Sequence, residues 1–394
     1  MAANLMTTMF DVAVVGSGPA GATAARALAG RGLRVALLER ETLPRYKTCG
    51  GGLVARAFEL LPTEVHGVVE RNCEGAELHL LDRDLHFRAA RPRPHPRPAP
   101  LIAMTMRDRL DQTLATAAVA AGAELRAPCR VTGLHPEGAG IRLDTDREPV
   151  TASFVIAADG AQSDVARLAG WSDGRHLIPA LEYEVEVDRD TFDCFAGAPR
   201  FDVGLVPYGY AWVFPKAAHL SVGVLTAHRG AINLHRHLEE YLRGIGLFPR
   251  STQRHGFVIP VRPRAGLLAR GRVLLTGDAA GLADPVTAEG ISRAAQSGRL
   301  AAEAIHRAWE TGPDPRQVSA AYAALLQPML ADLRVGRWLA RLLYDHPRAR
   351  AWIFRQIGQR LVDAITEVFL GARTYRGSLT GLALAFPRRV KTRS

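Results

Sequence analysis

The sequence predicts an α/β fold: a parallel sheet assembled from βαβ units, interleaved with a smaller β-rich domain and followed by a helical C-terminal tail. Three observations lead there. A valine-rich run, FDVAVV from Phe10, stops at the glycine turn GSGPAG and is followed by an alanine-rich helical stretch and a second buried strand, LRVALLER. The span 176–261 alternates apolar and polar residues, most clearly in LEYEVEV, as antiparallel strands do. Beyond Leu330 the pattern becomes helical and basic.

Each element follows in order. A chain of 394 residues exceeds what one core usually holds, so about two domains are expected. After the opening βαβ unit, strands are expected at Glu124–Arg126, Ile141–Asp144, Phe154–Ala158 and Val273–Thr276, with helices over Arg107–Ala121 and Gly290–Ala308. The run RPRPHPRPAP (91–100) removes amide donors at alternate positions, so it reads as an extended basic connector, not a helix or inner strand. These limits place the nucleotide domain in 1–75, 101–175 and 262–330, the β-rich substrate domain in 76–100 and 176–261, and the basic helical tail in 331–394. No repeat of solenoid or propeller period is found.

In GSGPAG, Gly16 makes the tight turn, Gly18 lets backbone approach a pyrophosphate, and Gly21 permits close helix packing. The helix N-terminus adds free amides and about half a positive charge. Glu39 ends the next strand, where an acid would bind a ribose hydroxyl. This context points to an adenine dinucleotide. Further on, RVLLTGDAAGLADPVTAEGI sets Asp278 just past a buried strand, AADGAQSDVARLAG carries Asp159 and Gly160, and MRDRLDQTL carries Arg107. With these motifs in this order, the chain resembles flavoproteins of the para-hydroxybenzoate hydroxylase fold. The resemblance implies a Rossmann-like FAD-binding domain in which Gly277 forms a turn, Asp278 holds the ribityl chain, and Pro285 and Gly290 border the isoalloxazine. It also implies that Arg107 contacts the flavin nucleotide and that Asp159 and Gly160 form a nucleotide-side motif. Arg45 and Ile291, which adjoin these motifs, join the candidate cofactor-binding set. A second GxGxxG after a strand is absent, so the external reductant, NADPH, NADH or ferredoxin, must approach the flavin directly.

The substrate end rests on two stretches. RYKTCGGGL (45–53) joins a thiol, Cys49, to Gly50, Gly51 and Gly52; three consecutive glycines cost backbone entropy and suit something flat or bulky lying close to the main chain. PYGYAWVFP (207–215) puts Tyr208, Tyr210, Trp212 and Phe214 on alternate positions, so in a strand four rings would line one face. Spacing alone fits either an apolar ligand wall or rings packed between sheet and helix. With Pro207, Tyr210, Trp212, Phe214 and Pro215 meeting P-x-x-Y-x-W-x-F-P, the chain is similar to the geranylgeranyl reductase family over about 11–308. That similarity implies an FAD-dependent reductase of prenyl double bonds on a lipid, quinone or chlorophyll precursor, with the rings and glycines lining an elongated apolar slot. An isolated alkene needs a proton on one carbon as hydride reaches the other. Cys49 is the first candidate, as donor or as the group positioning the alkene, and Tyr210 the second. The rivals are a monooxygenase or halogenase on the same fold and a non-catalytic isoprenoid-binding flavoprotein.

Charge and cysteine usage complete the picture. Cys49, Cys73, Cys129 and Cys194 are scattered without a CxxC pair, which indicates neither a zinc site nor a disulfide framework and fits a reducing compartment. No secretory signal and no apolar stretch of membrane-spanning length are seen, giving a cytoplasmic expectation. Thirteen basic and four acidic residues lie beyond Leu330, so the tail holds +9 of the net +11. Such a tail suits an anionic partner, and no nucleic-acid-reading motif accompanies it. Val335, Trp338, Leu339 and Leu342 fall at i, i+3, i+4 and i+7 with Arg334, Arg337 and Arg341 opposite. Such a helix either lies peripherally on the inner membrane face or packs on the body. The apolar-then-basic pattern recurs in SLTGLALAFPRRVKTR (378–393).

Overall fold

A computed structural model describes residues 9–91, 99–172, 177–228, 230–310 and 312–378. Most of the proline-rich connector and the terminal apolar-then-basic segment lie outside the described residues.

The opening βαβ unit forms as its pattern dictates. Phe10–Val15 pairs in parallel with Val35–Leu38 on one side and Val150–Ala157 on the other. Val273–Leu275 and Glu124–Arg126 extend the parallel set outward, giving the order Ala269–Arg270, Val273–Leu275, Val150–Ala157, Phe10–Val15, Val35–Leu38, Glu124–Arg126. An antiparallel hairpin, Val131–Glu137 with Gly140–Thr145, pairs onto Val150–Ala157. Covered by helices, these strands read as continuous apolar runs: Val12, Val14, Leu37, Val155 and Leu274 are all buried. The helices Pro19–Ala29 and Ile291–Trp309 pack so closely that a Cβ on Gly298 would be driven into the Ala20 carbonyl.

A second, seven-stranded sheet takes its strands from 75–90 and 177–260. Its order is Ser251–Pro260, Leu177–Glu186, Leu220–Thr226, Gly209–Pro215, Arg200–Val203, Gly75–Leu80, Leu85–Ala90. One face packs on Leu234–Gly244 through Tyr183, Val185, Val213, Val222 and Leu238. The other face looks toward the parallel-sheet domain. A third sheet of three short strands, Gly52–Val54, Ile102–Thr105 and Val69–Cys73, ties the glycine run to the junction between the two. In the edge hairpin His79 is paired across from His86, and one ligand atom from each of Glu77, His79 and His86 falls within 4.8 Å of the others, a grouping that sequence spacing did not flag.

The tail departs from expectation in two respects. Pro315–Asp345 is a continuous helix, so the limit drawn after Leu330 falls inside it rather than at a linker. Its buried side carries Leu333, Gly336, Leu339 and Leu343, whereas Trp338 is 59% exposed among the arginines. The apolar stripe is therefore rotated: it includes Leu339 but not Trp338. A second helix, Pro347–Phe369, closes over Phe87 and Leu80 through Phe354, Leu361 and Val362. Two of the tail's charges are internal, with Arg350 3.0 Å from Asp82 and Asp332 2.8 Å from Arg293.

Candidate functional site

A cavity of about 380 Å³ lies between the parallel sheet and the seven-stranded sheet. At the nucleotide end, Gly16 takes φ +98°, and a Cβ there would strike the Ala158 carbonyl, so the turn admits only glycine. A Cβ on Gly18, which caps the helix, would meet nothing closer than 3.9 Å, leaving its amides open. Gly21 does not line the cavity; it lets the helix press on the Gly16 carbonyl. Glu39 accepts from the Ser17 amide at 3.1 Å, the Ser17 hydroxyl at 2.6 Å and Arg45 at 3.2 Å. Burial works to raise its pKa, but Arg45 and Ser17 outweigh it and hold the carboxyl below the usual value.

Arg45 and Arg107 both line the cavity and share Asp111, at 2.9 Å from Arg45 and 3.0 and 2.9 Å from Arg107. Asp111 was not singled out in the sequence, although its i+4 spacing from Arg107 on a helix was a usable signal. Asp159 and Gly160 also line the cavity. The Asp159 carboxylate accepts from the Ser163 hydroxyl at 2.5 Å and the Val165 amide at 3.0 Å, so it caps the following turn.

Gly277, at φ +52°, turns the chain out of the parallel sheet beside Ala20 and Ala294. Asp278 follows in the cavity wall, and among the described residues no donor bonds its carboxylate. Open acceptors at this position, open amides at Gly18 and a glycine cradle fit a polyhydroxylated diphosphate cofactor such as FAD. Gly290 and Ile291 border the same space at the start of a long helix. Pro285 does not: it lies behind the wall, where a Cβ on Gly336 would come within 3.1 Å of it.

The thiol-and-glycine run and the aromatic strand meet. A Cβ on Gly50 would fall 2.7 Å from the Phe214 ring and 3.3 Å from Trp212 Nε1, so only the bare glycine lets the rings lie against the backbone. Cys49, Gly50, Gly51, Gly52, Tyr210, Trp212 and Phe214 all line the cavity, with Phe201 from the neighbouring strand added 5.2 Å from Phe214. The Cys49 thiol faces the Arg107 guanidinium. Tyr208 is a correction to the four-ring wall: it precedes the strand at φ +57°, is 41% exposed and stacks on His228. The Tyr210 hydroxyl donates to the Thr287 carbonyl at 2.5 Å, and burial pushes its pKa well up. Its proton is thus committed to an acceptor that cannot take it, which weakens Tyr210 as an acid.

Three further residues went unread in the sequence: Glu182, which lines the cavity, and Lys216 and Gly223, which support its wall from behind. Lys216 is fully buried and donates to the Gly50 carbonyl at 2.7 Å and the Thr105 carbonyl at 2.9 Å. Glu182 accepts from the Cys49 amide at 2.8 Å and from Ser221 at 2.6 Å; burial, then Glu184, pushes its pKa up to about 7. Gly223 lies directly under the Trp212 indole, which would collide with any Cβ there. Gly223→Val is expected to cost about 1–3 kcal/mol in urea unfolding through overpacking and to move tryptophan emission as the indole is displaced. Unchanged stability and emission would contradict this placement.

Residues 9–315 match the family model described as FAD binding domain. The digeranylgeranylglycerophospholipid reductase 2 of Methanothermobacter thermautotrophicus is 34% identical over 77% of this chain and 79% of its own. The digeranylgeranylglycerophospholipid reductase of Thermoplasma volcanium is 27% identical over 97% and 98%. A geranylgeranyl bacteriochlorophyll reductase-like structure from Thermoplasma acidophilum shares the fold, with TM-score 0.78, 24% identity and coverage of 95% and 98%. The chain belongs to the FAD-binding family that includes the digeranylgeranylglycerophospholipid reductases.

Proposed function

We propose that the protein is an FAD-dependent reductase that saturates carbon–carbon double bonds of a geranylgeranyl-type chain carried on a lipid. The observation that carries this reading is the abutment of the glycine run and the aromatic strand in the same cavity as the nucleotide cradle. A prenyl chain offers apolar surface along its length and few polar handles, so rings that are rigid and apolar suit it. When bound and reduced, FAD supplies a hydride equivalent at its isoalloxazine ring.

The chain's own residues do the rest. The Gly18 amides and Glu39 hold the nucleotide, and Asp278 takes the ribityl hydroxyls. Trp212, Phe214 and Phe201 orient the alkene and exclude water. Cys49, beside Arg107, delivers the proton from its Sγ to the carbon that does not receive hydride. Saturation adds two hydrogens per bond, whereas oxygenation would add one oxygen. With reduced FAD and a geranylgeranyl lipid, mass spectrometry is expected to show the two-hydrogen increments. Cys49→Ser keeps FAD and loses about 100-fold or more in rate; full turnover in this variant would remove Cys49 from the mechanism.

Collection of such a substrate places the protein at the cytoplasmic face of a membrane, attached peripherally. No helix among the described residues is long and apolar enough to cross one. In support, the exposed Trp338 stands among Arg334, Arg337 and Arg341, an aromatic-and-basic surface suited to anionic headgroups. Flotation with anionic liposomes is expected to carry the protein at low salt and to fail for Trp338→Ala combined with Arg337→Gln. Equal flotation of both proteins on neutral vesicles would contradict it.

A further inference from the structure

The cavity wall next to Asp278 is a loop, residues 281–290, whose Ala283, Thr287, Ala288, Glu289 and Gly290 line the same space as Gly18. Its shape is not one that the local sequence favours. Ala288 takes φ +54°, a left-handed conformation that a residue carrying a Cβ adopts only at a cost. Within the loop, Asp284 Oδ1 accepts from the Val286 and Thr287 amides at 2.9 and 3.1 Å, and the Asp284 carbonyl accepts from the Ala288 amide at 2.8 Å. The Val286 and Thr287 carbonyls find their donors outside it.

Those donors are tyrosines. The Thr287 carbonyl takes the Tyr210 hydroxyl, and the Val286 carbonyl takes the Tyr344 hydroxyl at 2.6 Å. A third hydroxyl, from Tyr375, donates at 2.9 Å to the same Asp284 Oδ1 that organises the turn. Tyr344 lies on Pro315–Asp345, and Tyr375 follows Pro347–Phe369, so both come from beyond residue 315, where the match to the FAD-binding family model ends.

The tail holds these two hydroxyls firmly. The Tyr375 amide donates to Asp332 at 2.7 Å, and Asp332 in turn takes the Arg293 guanidinium. A Cβ on Gly336 would fall 3.1 Å from the Pro285 ring and 3.2 Å from the Tyr375 ring, so the bare helix backbone is what lets both rings seat there. Arg56 adds a further tie, joining Glu289 at 2.9 Å to the Val368 carbonyl at 3.3 Å.

We propose that the C-terminal tail completes the cofactor site, with Tyr344 and Tyr375 clamping loop 281–290 in the shape that FAD binding needs. Neither tyrosine lines the cavity, so both are positioning residues that act through Val286 and Asp284. The inference rests on FAD binding alone and goes beyond prenyl reduction. Without the two hydroxyls the loop relaxes from the left-handed turn at Ala288, and only the fraction that still holds the wall's shape is competent to take FAD. Phenylalanine at either position keeps the ring and its packing while leaving a buried oxygen short of a donor.

The test uses the full-length protein. In its FAD-loaded form, the double variant Tyr344→Phe and Tyr375→Phe is expected to exchange the amides of 281–290 faster than wild type in hydrogen–deuterium exchange. After FAD is removed and titrated back, the dissociation constant of the variant rises about tenfold, and the visible circular dichroism of the bound flavin changes. Tyr322→Phe is the control: it also loses a buried tyrosine hydrogen bond from Pro315–Asp345, 2.7 Å to the Leu275 carbonyl, but outside the loop. It is expected to lose stability while keeping wild-type FAD affinity and flavin dichroism. Wild-type FAD affinity and dichroism in the clamp variant, or an equal loss of affinity in Tyr322→Phe, overturns the inference. If the double variant does not fold, each single variant is read by the same criteria. No prenyl substrate enters these measurements, so failure of the proposed reduction leaves this inference standing, and failure here leaves the proposed reduction standing.

Discussion

One buried ammonium fixes the geometry on which the cavity depends. Lys216 follows the aromatic strand directly and spends its charge on the Gly50 and Thr105 carbonyls. Those carbonyls belong to the glycine run and to a strand of the small third sheet, so one side chain joins three segments. Taking an ammonium out of water is expensive, and dipoles held within hydrogen-bond reach must offset it. The site suits a compact point donor; the wider planar fork of arginine would not fit where a Cβ on Gly51 already falls 2.6 Å from Nζ.

With the loop fixed, absent side chains give the cavity its shape. The Trp212 indole fills the space a side chain on Gly223 would take, and the Phe214 ring fills that of Gly50. Rings pressed on bare backbone produce a flat apolar wall without large movable groups. Polar atoms sit at its margins: Asp111 binds Arg45 to Arg107 toward the nucleotide, and Glu182 receives the Cys49 amide toward the β-rich sheet. Cys49 is thereby held by its backbone amide on Glu182, with its thiol accepting from the Gly51 amide at 3.5 Å.

Much of this was legible in the sequence where local chemistry dictates structure. GSGPAG needs a strand before it and a helix after it, and both are present, as are the strands over Glu124–Arg126 and Val273–Leu275. Alternation in PYGYAWVFP correctly gave one face to Tyr210, Trp212 and Phe214, but Tyr208 fell outside because the strand begins at Gly209. LEYEVEV was legible as a strand, while the side each residue faces was not. Its aliphatic and aromatic positions, Tyr183 and Val185, pack on a helix, and Glu182 on the opposite face lines the cavity. A polar face normally implies solvent, and only the tertiary arrangement turned this one inward. Lys216 did leave a signal: it is one of three lysines in a chain otherwise basic through arginine. The rotated stripe of Pro315–Asp345 was hidden because that helix packs on Ile291–Trp309 and Pro347–Phe369, pairings its own periodicity does not reveal.

The central claim is that glycine run and aromatic strand are the two walls of one prenyl slot ending at FAD. Photolabelling tests it most directly, using a geranylgeranyl lipid with a diazirine in its chain on the FAD-loaded protein, followed by peptide mapping. The account predicts label on the peptides spanning 45–53 and 209–215, lost when unlabelled lipid competes. Label confined to other surfaces, or indifferent to competition, would contradict it.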